Sequence, residues 1–463
     1  MSGPDDTTQT VNEDTLFQRA FDGILSMEKK GYPSFIDGIK VASYKDYELT
    51  SPIDSAIIFG KFQVPEEGTA TVAVDAAKKA FDTWSLRTHS ERKEIFLDVL
   101  KRVKAQRYRL AANVMISTGM TVKDCLAEAD RLAEMIEDAC NTDEKGKPMG
   151  VWGTISEHSS PLASPAGAAS YAMVAGNTIV ALPSMMCPMP MFAFSNILQA
   201  AGLPGGVFNI TVSKGHETDR ELTDDLSVRG LAVSGGGDRI DELMFLPVDR
   251  ELRFIGEIKG MNPILVYKPG NMASVADSII ESSFRSAGQR LQSCSKVIVT
   301  DSDKSKLISA LRESAKSIVV GDPAELNVTS GPLMSREDLD NFKNYAEKAK
   351  DKIVYGGEMA KGPYMEGGFY VVPMIVTGPV KDCELGHFDT GLPILTIISV
   401  PNMDDMLEEL LNTECGLSAS LFSKDDNLIK KFKEYAEAPF LNINEGTENM
   451  MPGMVLGSKG FRD

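Results

Sequence analysis

Apolar side chains return every three to four positions over residues 71–83 and again over 90–139, with charged residues between them, which predicts amphipathic helices. From about residue 150 the pattern changes. β-rich runs at 151–156, 178–182, 207–212, 230–234 and 252–257 appear with helical stretches between several of them. A second series follows at 263–267, 296–300, 353–355, 370–375 and 394–400, with helical stretches at 271–287, 302–318 and 335–350 among the earlier runs. Strand, turn and helix repeated in this way imply parallel sheets covered on both faces. The expected fold class is therefore α/β, with two doubly wound parallel-sheet lobes. Gly321-Asp322-Pro323 and Gly331-Pro332-Leu333 punctuate a structured loop ahead of the 335–350 helix.

Composition narrows the function. A chain of 463 residues has room for two or three domains. Lys and Arg number 48 against 66 Asp and Glu, and the net charge of −18 repels phosphate backbones and anionic headgroups, so no nucleic-acid or membrane partner is expected. No apolar run approaches the roughly 20 residues that span a bilayer, and the start Met1-Ser2-Gly3-Pro4-Asp5-Asp6 is acidic rather than a basic leader. A cytoplasmic location follows as the expectation. Cysteines at 125, 140, 187, 294, 383 and 415 form no CxxC pair and read as free thiols. His89, His158, His216 and His387 are too scattered for ligand spacing, so no metal is expected. The run Met185-Met186-Cys187-Pro188-Met189-Pro190-Met191 carries soft sulfur ligands of the kind copper(I) takes, although methionines at a helix entry more often fill a core.

Candidate chemistry centres on Gly288-Gln289-Arg290-Leu291-Gln292-Ser293-Cys294-Ser295. With Phe35-Ile36-Asp37-Gly38, Ala175-Gly176-Asn177-Thr178, Gly202-Leu203-Pro204, Gly206-Val207-Phe208-Asn209, Gly416-Leu417-Ser418-Ala419 and Asn442-Ile443-Asn444, taken in order, it resembles the aldehyde dehydrogenase superfamily over nearly the whole chain. Gln289-Arg290, Ser293-Cys294-Ser295 and Leu392-Pro393 are most similar to the pyrroline-carboxylate (glutamate semialdehyde) dehydrogenase branch. The resemblance implies a flexible N-terminus at 1–12, a Rossmann-like dinucleotide-binding-type domain at 13–256 and a catalytic-type α/β domain at 257–430. Residues 431–463 would return to the first domain as a truncated oligomerisation region.

Read position by position, the resemblance puts Leu291 where the family has its cysteine nucleophile, and a hydrocarbon can neither attack a carbonyl nor hold an acyl group. Ser159 falls at the oxyanion asparagine, and Glu257 at the general-base glutamate, which survives. Cys294 is the nearest substitute thiol. Three residues along an extended segment are about 10 Å and an odd shift turns the side chain away, whereas attack needs about 3–3.5 Å. On the cofactor side Leu182 replaces the ribose-binding lysine ahead of Pro183-Ser184, Met185 or Met186 replaces the following glutamate, and Asp389 replaces the glutamate of the nicotinamide ribose with Gly391 beside it. The nicotinamide-facing turn reads Val233-Ser234-Gly235-Gly236. Ser184, Ser234, Gly236 and Asp389 are the remaining cofactor-binding candidates. Leu182 and the methionines could fill the adenine cleft from within, while Gly235-Gly236-Gly237-Asp238 could still cradle a phosphate.

Two shortened segments bear on assembly. Between the helix ending near Cys140 and the strand at Val151 there is too little chain for the family's long β-hairpin, and the sequence stops at Gly460-Phe461-Arg462-Asp463, soon after the last glycine-rich motif. A reduced oligomerisation hairpin and an oligomeric state altered from the usual dimer or tetramer are expected. The leading expectation is a catalytically inactive family member with a binding, structural or regulatory role, no cofactor, or NAD or NADP if any binding is retained, and a protein partner such as an active relative. The alternatives are an NAD(P)-dependent oxidoreductase with a non-standard site built on Cys294, and a hydrolase or isomerase built on Glu257.

Overall fold

Two seven-stranded sheets form the centres of two lobes in the computed structural model, which describes residues 13–26, 31–143, 146–246, 252–363, 365–378 and 385–448. The first sheet runs Arg253–Ile258, Val228–Gly235, Val151–Ser156, Thr178–Pro183, Phe208–Ile210, Ser34–Ile36 and Ile39–Val41 from edge to edge. Its first five strands are parallel and its last two pair antiparallel. The second runs Ile353–Tyr355, Met374–Thr377, Ile394–Val400, Lys296–Thr300, Ile264–Tyr267, Ser418–Ser423 and Phe440–Ile443, all parallel except the Ile353–Tyr355 edge. The α/β class with two parallel-sheet lobes is thus the observed one.

Several boundaries differ from the periodicity reading, each for a local reason. The 90–139 stretch is three helices, His89–Ala105, Arg107–Thr118 and Val122–Asn141. Thr88 and Glu91 close a capping box at the first, and Gly119, at φ 70°, ends the second in a left-handed conformation that glycine adopts without strain. The 271–287 helix stops at Phe284, because Ser286 and Ala287 take positive φ and bend the chain toward the 288–295 loop. The 370–375 strand is Met374–Thr377. A small sheet of Gly31–Tyr32, Ile58–Gln63 and Asp46–Thr50 has no counterpart in the expectation. Phe440–Ile443 pairs with Ser418–Ser423 in the second sheet, so this part of the C-terminal segment joins the second lobe rather than returning to the first. Residues 1–12, Cys383 and 449–463, on which other expectations fall, lie outside the described residues.

The chain passes from the first lobe to the second between Ile258 and Ile264, and this crossover is stitched to the second lobe. Met261 and Asn262 donate their N–H groups to Glu414 O and Cys415 O, each at 3.0 Å. Gly260 lies so close to Gly416 that a Cβ on it would come within 2.6 Å of the Gly416 Cα. A side chain on either glycine would force the two backbones apart. That close approach fixes where the residues on either side of the crossover, Glu257 and Lys259 among them, can reach.

Candidate functional site

Leu291 is held by its own backbone. The Asn262 side chain donates to Leu291 O at 2.9 Å and to Ser293 O at 3.0 Å while accepting from Ser418 N, so the loop is anchored to both the crossover and the second sheet. The Leu291 side chain is 2% exposed and packs with Leu417 and Phe440. It also lines a cavity of about 340 Å³ bounded by Met120, Asp124, Glu128, Arg131, Ser159 and Arg290. Ser159 and Leu291 therefore share one chamber. Cys294 does not face it. Its side chain joins a different cluster, with Ile264, Phe284 and Val297, its Sγ lies 3.2 Å from Lys296 O, and burial pushes its thiol up to about 12. A thiol so placed is a poor nucleophile at neutral pH.

Glu257, at the end of the Arg253–Ile258 strand, is buried and fully engaged. Arg131 Nη2 donates to both carboxylate oxygens, at 2.8 and 3.0 Å, and Ser164 Oγ donates to one of them at 2.6 Å. One turn before Arg131 on the same helix, Glu128 accepts from Leu162 N at 3.2 Å, Ala163 N at 2.9 Å and Ser160 Oγ at 2.9 Å, capping the Ala163–Val174 helix. Burial pushes the Glu128 carboxyl up, against the opposing pull of those amides and of Arg131. Deeper in the wall, burial would raise Asp124, but Arg290, Arg285 and the Ser286 hydroxyl outweigh it and hold its carboxyl below the ordinary range. With three hydrogen bonds from a guanidinium and a hydroxyl on a carboxylate that has about four acceptor sites, most of the acceptor capacity of Glu257 is taken up within the chain.

The strand order places Val151–Ser156 beside Val228–Gly235, with Thr178–Pro183 and Phe208–Ile210 lying to one side and Arg253–Ile258 to the other. Such a switch in winding direction is where open α/β sheets bind ligands, outside the carboxyl ends of the strands. Here Arg239 crosses that point. It pairs with Asp219 at 2.6 Å and with Glu157, and Ser213 Oγ donates to Asp219 at 2.8 Å. The Glu157 side chain lies over Gly235, where a Cβ would come within 2.6 Å of the Glu157 Cβ. The Ser234 hydroxyl is buried with no hydrogen-bond partner. Ser184 accepts from Met186 N at 3.3 Å and bridges to Ser213. Asp389 faces Lys259, whose Nζ lies 3.4 Å from it and 3.0 Å from Gly288 O, and the Lys259 stem packs against Gly236.

Leu182 is fully buried with Ile36, Ile155, Ile240 and Leu243. The methionines do not join it: Met189 and Met191 lie in the cluster on the other side of the sheet with Phe192 and Phe194, and Met186 is exposed. The expectation that they fill one cleft together is corrected, since residues after the strand turn to the opposite face. Met189 and Met191 are core filler. Among the described residues no three His, Cys, Asp or Glu side chains converge on a point that could hold a metal, and Cys125, Cys140, Cys187, Cys294 and Cys415 are buried thiols outside any disulfide. Arg131, Ser164, Arg239 and Lys259 are the site residues that motif reading missed. Glu128 and Arg131 at i and i+3 on a core-facing helix, and a lysine two positions beyond Glu257, are the signals that were available.

The pattern that defines the aldehyde dehydrogenase family matches residues 39–460, and the chain belongs to that family. It is 25% identical over 464 residues to alpha-ketoglutaric semialdehyde dehydrogenase of Bacillus subtilis, covering 94% of this chain and 95% of that one. To 1-pyrroline-5-carboxylate dehydrogenase of a Geobacillus species it is 24% identical over 471 residues, covering 96% and 90%. The solved structure of a variant of 1-pyrroline-5-carboxylate dehydrogenase from Thermus thermophilus superimposes with a TM-score of 0.88 at 21% identity, covering 100% of this chain and 94% of that one. That likeness gives the fold. Among the described residues no helix is long and apolar enough to cross a membrane.

Proposed function

We propose that this member of the aldehyde dehydrogenase family is catalytically inactive and serves a binding, structural or regulatory role in the cytoplasm, with a protein partner such as an active relative. The observation that carries this reading is Leu291, whose hydrocarbon side chain packs on Leu417 and Phe440 at the position where the resemblance calls for a thiol. Removing a covalent nucleophile costs on the order of a million-fold in rate. The placement of Cys294 in a separate cluster and the clamping of Glu257 by Arg131 and Ser164 support it further. The positions that the resemblance assigns to a dinucleotide do not fit one: Leu182 is a hydrocarbon side chain buried in the core, and Asp389 is paired with Lys259, while Arg239 pairs with Glu157 at the switch in strand order. We therefore derive no step through NAD or NADP.

The test is NAD and NADP reduction by the full chain with a panel of aldehydes and semialdehydes, alongside mass spectrometry for a covalent adduct after reaction with an aldehyde. No turnover and no adduct are expected. Turnover, or an acyl group on any side chain of the chamber, refutes the proposal and favours the other reading, an NAD(P)-dependent oxidoreductase acting on a semialdehyde, which the similarity to semialdehyde dehydrogenases supports.

A further inference from the structure

Lys259 begins in one lobe and ends in the other. Its backbone N–H donates to Gly235 O at 2.7 Å, at the end of a first-lobe strand. Its ammonium reaches the second lobe, donating to Gly288 O at 3.0 Å and lying 3.4 Å from Asp389, with the lysine side chain 6% and the aspartate side chain 12% exposed. Along the way the stem runs between positions that have no side chain. A Cβ on Gly236 would sit 3.0 Å from the Lys259 Cβ, and one on Gly391 would sit 3.9 Å from its Nζ. Gly236 and Gly391 thus flank a slot with the Asp389 carboxylate and the Gly288 carbonyl at its end, and the lysine fills it. The Arg239 bridge to Asp219 and Glu157 lies at the switch in strand order.

A slot walled by glycines gives room for a bulky group, and a carboxylate at its end matches a cation or a ribose hydroxyl. We propose that Lys259 is an intramolecular latch, which takes the volume and the Asp389 contact that the nicotinamide riboside of a dinucleotide would use and ties the two lobes together in its place. This inference rests on the non-catalytic reading for its place in the biology and on the crossover geometry for its physics. Its consequence is that the lobes are held closed without a ligand. Removing the side chain frees both the slot and the Asp389 carboxylate.

The experiment is calorimetric titration of NAD and NADP into the wild-type chain, Lys259→Gly and Asp389→Asn, with hydrogen exchange of peptides covering 285–291 and 386–391. No binding is expected for the wild type at millimolar cofactor, at least tenfold tighter binding for Lys259→Gly, and faster exchange of both segments in both variants. Asp389→Asn keeps the lysine and the fold of the crossover, so its exchange decides the matter even if Lys259→Gly does not fold. Absence of any gain in a folded Lys259→Gly, or unchanged exchange in Asp389→Asn, overturns the latch. Aldehyde turnover by the wild type would overturn the non-catalytic reading instead, so the two failures are told apart.

Discussion

Replacing Arg131 with methionine strips the buried Glu257 of its cation. The Glu257 side chain is 5% exposed and that of Arg131 19%, so the stranded carboxylate keeps only the Ser164 hydroxyl while water reaches it poorly. Breaking a buried pair from one side in this way costs about 3–5 kcal/mol, much of it the uncompensated charge. Glu257→Gln is gentler, about 1–2 kcal/mol, because an amide still accepts from Arg131 and Ser164, and the guanidinium lies at the cavity wall. The double variant Arg131→Met with Glu257→Met leaves neither charge, and should recover most of the loss, with a coupling of at least about 2 kcal/mol.

Both tryptophans, Trp84 and Trp152, belong to the first lobe, so urea unfolding followed by tryptophan fluorescence reads that lobe even if the two unfold separately. With a slope of about 2–3 kcal/mol/M, the Arg131→Met midpoint should fall by roughly 1–2 M. A fall below about 0.3 M, or costs for Arg131→Met and Glu257→Met that simply add in the double variant, would mean the pair is loose. Glu257 would then be free to act as a base, and a hydrolytic or isomerising reaction would regain its physical footing.

Acid titration should separate Asp124 from the exposed carboxylates. Its folded carboxyl is held low by Arg290 and Arg285, so its stabilisation is complete above the unfolded value near about 3.9 and is lost as pH falls through the lower folded value. Asp124→Asn should therefore lower the thermal midpoint at neutral pH and flatten its decline in strong acid; parallel curves would refute the assignment. Thiol titration of the native chain at mildly alkaline pH should leave Cys294 unmodified until denaturant is added, since burial has pushed it up to about 12, and rapid native labelling of Cys294 by peptide mapping would contradict its placement. Gly416→Ala should cost more than about 1 kcal/mol, since its φ of 68° suits glycine and its Cβ would lie 2.6 Å from Gly260 N, and an unchanged midpoint would show that the crossover can relax.

Much of the scaffold was legible because its signals are periodic. The β-rich runs from 151 to 300 marked the parallel strands to within a few residues, since strands buried on both faces need consecutive apolar side chains. The breaks were harder. Gln106 carries no special propensity, and the end of the helix at Phe284 is set by the positive φ of Ser286 and Ala287, which the Ser286 bonds to Thr121 and Asp124 accompany. Those partners are more than 160 positions away, and no window of sequence contains both sides of the contact. Phe440–Ile443 extends the second sheet, which its sequence does not announce for the same reason, as a short apolar run does not say which sheet it will extend.

At the site, motif comparison reads vacancies well and fillings poorly. It marks Leu291 and Ser159 because each stands where another residue type is expected, but it passes over Arg131 and Lys259, which matter through what they touch. Burial explains why such partners must exist. A largely buried carboxylate at 257, 389 or 157 would be an unpaired charge, costing several kcal/mol, unless a cation reached it from within the chain. In this structure each has one: Arg131, Lys259 and Arg239. On the proposed reading, loss of chemistry at 291 relaxed the demand for open space in the cleft, and charge neutrality then favoured side chains that close it. The same logic predicts where reversal must begin. A thiol restored at 291 meets a base still clamped by Arg131 and a cofactor slot still filled by Lys259, so all three positions have to change before the chamber can hold both reactants.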